Sequence, residues 1–132
     1  MNQHSAACHR IPGLSILVDG FKFATSDISA YFLTHAHADH WAGLDKAAVT
    51  CPIFMTKTTH ALVAHRMQHV DEKLVTHIKP EEAVLISIPE ARMRVTPVDA
   101  NHCLGAVILV FEVWRRRSTS DEDGLPETKP QV

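Results

Sequence analysis

Residues 35–40 read His35-Ala36-His37-Ala38-Asp39-His40 and follow directly on the apolar stretch Ala30-Tyr31-Phe32-Leu33-Thr34. No other run constrains the fold as strongly. Four ionisable groups at the end of a buried strand are costly to enclose unless they are coordinated or paired. In an extended segment side chains alternate faces, so His35 and His37 project to one side. Paired imidazoles suit zinc, and the added carboxylate and third imidazole mark a second metal position beside the first. Metal-dependent hydrolysis is therefore the expected chemistry. Of the ten histidines, His4, His9, His60, His65, His69 and His77 are scattered, carry no ligand spacing and read as structural or exposed.

The 132 residues suffice for one domain. A hydrophobic content of 45% and a charged content of 21% exclude a disordered or strongly basic class. With a formal net charge of −2 the chain carries no global field for nucleic acid. Cys8, Cys51 and Cys103 form no CxxC pair and no even-numbered framework, so they read as reduced thiols of an intracellular protein. No apolar run reaches membrane-spanning length and Met1–Arg10 is polar, so the expectation is a soluble chain without a membrane partner or signal peptide.

Along the chain, Leu14–Val18 lies between Pro12-Gly13 and Asp19-Gly20 and predicts a strand ending in a turn. Phe21-Lys22-Phe23 reads as a short strand beyond it, and Ala30–Thr34 as the strand that delivers the histidines. Pro52–Met55, Leu74–Ile78, Ala83–Ile88 and Met93–Val98 read as further short strands. Thr56–His69 predicts a helix with Ala61, Leu62, Ala64 and Met67 on its buried side. The longest apolar run, Ala106–Val113, is rich in β-branched residues and predicts a central strand. The fold class is thus α/β and β-rich. A polar segment occupies 1–10, the domain 11–113, and a charged, disordered tail 114–132, where no apolar face can form. Within that tail Arg115, Arg116 and Arg117 offer phosphate contacts, but an ordinary charged flank is the preferred reading.

A second piece of the site lies far downstream, in Val98-Asp99-Ala100-Asn101-His102-Cys103 between two expected strands. A His at such a strand end completes a facial set with His35 and His37. Three protein ligands with one open position are what a catalytic zinc requires. Asp39 and His40 would serve the neighbouring metal. Asp19, at the end of the first strand, either orients a ligand histidine from outside or is only the Asp of an Asp-Gly turn. Cys103 reads as a small buried thiol rather than a ligand.

With these residues assembled the chain resembles the metallo-β-lactamase superfamily. Within it the likeness is to the β-CASP nucleases, and among those to the DNA interstrand cross-link repair exonucleases of the SNM/Pso type. The segments that carry the likeness are Ile11-Pro12-Gly13, Val18-Asp19-Gly20-Phe21, the run from Ala30 to Leu44, and the run from Val98 to Val107. The likeness covers about residues 8 to 113, the N-terminal part of that fold, and so implies a partial αββα sandwich. It also implies a nuclear, metal-dependent 5′-to-3′ exonuclease in cross-link repair. Its substrate would be DNA, single-stranded or with 5′-phosphorylated ends, and metal-bound hydroxide would attack the phosphodiester. By position His35, His37 and His102 would hold one zinc, Asp39 and His40 would act at a second, and Asp19 would support both from outside.

Two departures stand out. Leu104 occupies the position of a family Pro, which restores a backbone N–H and frees φ. No Gly-Asp pair occurs anywhere in the chain, whereas the family's metal-bridging Asp lies in a Gly-Asp-Phe segment. Without the second half of the sandwich one sheet face lacks its partner layer, so the isolated chain is expected to be poorly stable or aggregation-prone. Two alternatives to a nuclease fragment stand beside it: a non-catalytic metal-binding module, and a small-molecule hydrolase of the same superfamily.

Overall fold

The computed structural model describes residues 7–116. Among these residues seven strands form two sheets. β1 (Ile16–Val18), β2 (Ala30–Phe32), β3 (Ile53–Thr56) and β4 (Val75–Ile78) make a parallel sheet in that order. β5 (Val84–Ser87), β6 (Ala91–Asp99) and β7 (Val107–Arg115) make an antiparallel one. The longest helix, α2 (Lys57–Val63), follows β3, and the four-residue α1 (Ala38–Trp41) carries the end of the histidine run.

β1, β2 and β3 are buried on both faces, as parallel sheets require, while the edge strand β4 exposes Thr76 and His77. One face presents Leu17, Tyr31, Leu33, Ile53 and Met55 to Val63, Met67 and Leu44. Burial there pushes the Tyr31 phenol up to about 12. The opposite face presents Ile16, Ala30, Phe32, Phe54 and Ile78 to Ile88, Ala91, Met93, Val95 and Val107 of the antiparallel sheet. Phe32 anchors this seam, stacking on Phe54 at 4.9 Å and meeting Phe111 edge-on at 5.2 Å. The result is three layers: helical segments, parallel sheet, antiparallel sheet. This is a sheet-rich α/β fold, as expected.

The outer face of the second sheet carries no fourth layer among the described residues. Leu85 is 81% and Ile108 58% exposed there, and Leu85 lies opposite Arg94 of the Arg94–Glu112 ion pair.

Four expectations are corrected. Phe21–Phe23 is a 3-10 turn rather than a strand, because Phe21 turns inward to stack on Tyr31 at 5.5 Å. The expected helix 56–69 is shorter: α2 ends at Val63 and continues only as the 3-10 turn Ala64–Arg66. Its buried residues are Thr59 and Val63, while Leu62 is 48% exposed. The Thr59 hydroxyl is drawn inward by the Gly105 carbonyl, which rotates the helix away from its most apolar stripe. Finally, β7 lies at a sheet edge rather than in the centre. Its inner residues pack on β2 and β3, and its β-branched run reflects that packing rather than a second neighbour.

The folded unit also reaches past 11–113 at both ends. The His9 carbonyl accepts from Val18 N–H at 2.8 Å. Arg115 still lies in β7, with its guanidinium on the Pro12 carbonyl at 2.8 Å. Arg116 donates from its backbone to Glu90 O and from its side chain to Ser87 Oγ. Both arginines thus hold protein groups. The expected tail from Arg117 onward, and residues 1–6 of the expected polar segment, lie outside the described residues.

Candidate metal centre

The site forms where β1, β2 and the β6–β7 connection end side by side. Asp19, the residue after β1, takes a left-handed backbone (φ 52°), a conformation Asp tolerates better than most residues. Its carboxylate turns back across the sheet. One oxygen accepts the Thr34 backbone N–H at 2.8 Å. The other accepts the Thr34 hydroxyl at 2.6 Å and meets His40 Nδ1 at 2.8 Å.

These contacts determine where the protons sit. A carboxylate only accepts, so the single Thr34 hydroxyl proton goes to Asp19, and the hydroxyl oxygen accepts from its other neighbour, His35 Nδ1, at 2.8 Å. His35 Nδ1 therefore carries the ring proton and Nε2 is a bare lone pair. By the same reasoning His40 donates from Nδ1 to the Asp19 carboxylate, at 2.8 Å. His35 is 7% exposed, and its Nε2 is buried with no hydrogen-bond partner. Burial, then the nearby His40, hold the His35 imidazole below the usual histidine range, against the upward pull of Asp19. It is neutral at pH 7.

His37 and His102 face this nitrogen. His37 Nδ1 lies 3.1 Å from His102 Nε2, and both rings meet His35 edge-on at 4.8 and 4.9 Å between centroids. One ring nitrogen from each of the three lies within 4.8 Å of the others, and so do atoms of Asp19, His35 and His40. Either group could hold a metal ion. Asp39 joins neither. Its carboxylate is 83% exposed and reaches His40 Nε2 only at 3.6 Å.

Extended backbone up to His37 and helix after it set this geometry. His37 caps α1 with ψ 141°, so His35 and His37 share a face while Asp39 and His40 swing away on the helix. The Trp41 indole N–H donates to the Ala36 carbonyl at 3.0 Å, pinning the loop between the first two histidines, and the Arg66 guanidinium lies 5.1 Å over the indole.

The downstream loop is tied in as well. Val107 N–H donates to Thr34 O at 3.0 Å, and Ala100 N–H to Ala106 O at 3.1 Å. The Gly105 carbonyl accepts the Thr56 and Thr59 hydroxyls at 2.9 and 3.3 Å. Leu104 is 75% exposed, and Cys103 stands free and half-buried outside both ligand groups.

Thr34, Trp41, Thr56 and Thr59 were not singled out in the sequence. Only Thr34 had a local signal, a hydroxyl adjoining the first histidine. A groove of about 600 Å³ opens beside the cluster, lined by His9, Thr34, His35, His102, Val107 and Phe111 among others.

Two packed sheets with ligand groups converging at their strand ends define a unit able to bind a metal ion. No family-wide sequence model matches the chain. It is, however, 35% identical over 103 residues to human DNA cross-link repair 1A protein. It is 36% identical over 103 residues to DNA cross-link repair protein pso2/snm1 of Schizosaccharomyces pombe, and 32% identical over 106 residues to the mouse 5′ exonuclease Apollo. Each match takes in 77% of this chain but only 9%, 18% and 19% of the respective relative. The chain belongs to the SNM1/Pso2 family of DNA cross-link repair proteins, of which it spans one part. Among the described residues no helix is long and apolar enough to cross a membrane.

Proposed function

We propose that this chain is the N-terminal part of the catalytic domain of a nuclear, metal-dependent 5′-to-3′ DNA exonuclease of cross-link repair, half of a metallo-β-lactamase sandwich. The observation that carries the metal reading is the orphaned, deprotonated and buried His35 Nε2, held in that state by the Asp19–Thr34 relay. Neutral imidazoles with their other nitrogens hydrogen-bonded are the donor set that zinc takes. His35 Nε2, His37 Nδ1 and His102 Nε2 would hold one zinc, and Asp39 and His40 a second. Asp19 orients His35, through Thr34, and His40. Bound ions would supply charge neutralisation at a phosphodiester and a water of lowered pKa. The exposed Asp39 carboxylate and the open groove leave the cluster accessible to a DNA end.

The chain is to be incubated with 5′-phosphorylated single-stranded DNA and zinc, with and without chelator, beside the Asp39→Ala variant. Chelator-sensitive trimming from the 5′ end that Asp39→Ala abolishes supports the proposal. Zinc bound without cleavage favours the second reading, a non-catalytic metal-binding module. Thioester turnover in place of DNA cleavage would identify a small-molecule hydrolase.

A further inference from the structure

Two histidines that carry no ligand spacing in the sequence meet away from the cluster. His60 lies on α2 and His77 on β4, and His60 Nδ1 is 2.9 Å from His77 Nε2. The rings lie 5.1 Å apart between centroids at 53°, so the two nitrogens point at each other rather than stacking. On its other side His60 Nε2 is buried and sits 2.9 Å from the Glu72 carboxylate, out of line for a hydrogen bond. Nδ1, on the opposite side of the ring, faces His77.

We infer that His60 and His77 form a second binding site, distinct from the His35–His37–His102 cluster, for a borderline divalent cation of the zinc and copper class. Facing nitrogens at this distance share one proton, and the same opening accepts a metal ion in its place. Two imidazoles on a tetrahedral ion, at about 2.0–2.1 Å each, have nitrogens roughly 3.3 Å apart, so the rings part by a few tenths of an ångström and tilt from head-on until both lone pairs converge on the ion. The exposed side of His77 is open to water, which completes the coordination. With two protein donors instead of three, the site is weaker and more exchangeable than the histidine cluster. The Glu72 carboxylate, 2.9 Å from His60 Nε2, adds negative charge beside the site, which favours a bound cation. The bound ion would clip α2 to β4 and close the connection 64–74 between them.

The site is independent of the catalytic proposal, and the test keeps the two apart. Zinc is titrated into the full chain while the ring nitrogens of each histidine are followed by long-range proton–nitrogen NMR. The expected result is two phases: His35, His37 and His102 respond first, then His60 Nδ1 and His77 Nε2 move to metal-bound positions. His77→Gln, a change at an exposed residue, should abolish the His60 response and leave the first phase intact. His37→Ala should impair the first phase and leave the second. Ring nitrogens of His60 and His77 that stay unmoved in excess zinc, or a His60 response that survives His77→Gln, would overturn the site.

Discussion

At the scale of single residues the site depends on one hydroxyl. Thr34 passes the Asp19 charge to His35 and fixes which nitrogen of that ring is bare. Replacing it with Val keeps the shape and removes the relay. Thr34→Val should lower zinc affinity 10- to 100-fold, roughly what such outer hydrogen-bond partners contribute, as read by competition with a chromophoric chelator. His35 also predicts a pH dependence. Its folded-state pKa is held below the ordinary 6.5, so below that value the unfolded chain binds the proton that the folded chain resists. Stability therefore rises with pH through this range and falls on acidification. The metal-free chain should lose stability as pH drops below 6.5, and His35→Asn should flatten that slope in denaturant titrations.

At the scale of elements the loops matter more than the strands. Gly43 follows α1 with φ 90°, and a Cβ there would lie 2.7 Å from the Lys22 backbone nitrogen. Gly105, with φ 82°, would meet only side-chain atoms of Thr58 and Thr56, at 2.9 and 3.0 Å. Both substitutions to Ala incur about 1–2 kcal/mol for the left-handed backbone. At Gly43 the obstacle is closer and is the Lys22 backbone itself, with N at 2.7 Å and Cα at 2.8 Å, so Gly43→Ala should destabilise more than Gly105→Ala in equilibrium unfolding. Gly105→Ala should instead weaken zinc binding more than its stability loss explains, because the Gly105 carbonyl anchors the His102 loop. Strand positions were legible from apolar runs between turn residues, and all seven lie close to where those runs fall. Helix α2 was misread at its C-terminus and on its buried face, since two threonines reach a carbonyl distant in sequence.

At the scale of the molecule, the antiparallel sheet is covered on one side only among the described residues. Leu85 and Ile108 stand in solvent, and β7 has a free edge among the described residues. Such an edge beside an apolar face is a template for self-association. The isolated chain should therefore run as concentration-dependent oligomers in size-exclusion chromatography with light scattering. The double change Leu85→Lys and Ile108→Lys should shift it toward monomer without lowering its melting temperature. A monodisperse wild-type monomer with a cooperative thermal transition would count against this picture.

The sequence by itself determined the His35–His40 run, its place after a buried strand and the distant His102, because ligand types at fixed spacing are local chemical facts. It also determined the strand-rich class, through the alternation of apolar runs and turn residues. Only the tertiary structure decided that Thr34 relays Asp19 to His35, that Asp39 stands apart at the rim, and that Thr56 and Thr59 hold the His102 loop. It alone brought His60 to His77 and placed β7 at an edge. Each of these is a contact between residues far apart in the chain or a choice among side-chain directions, and no local pattern encodes which distant group a donor will meet once two sheets have packed.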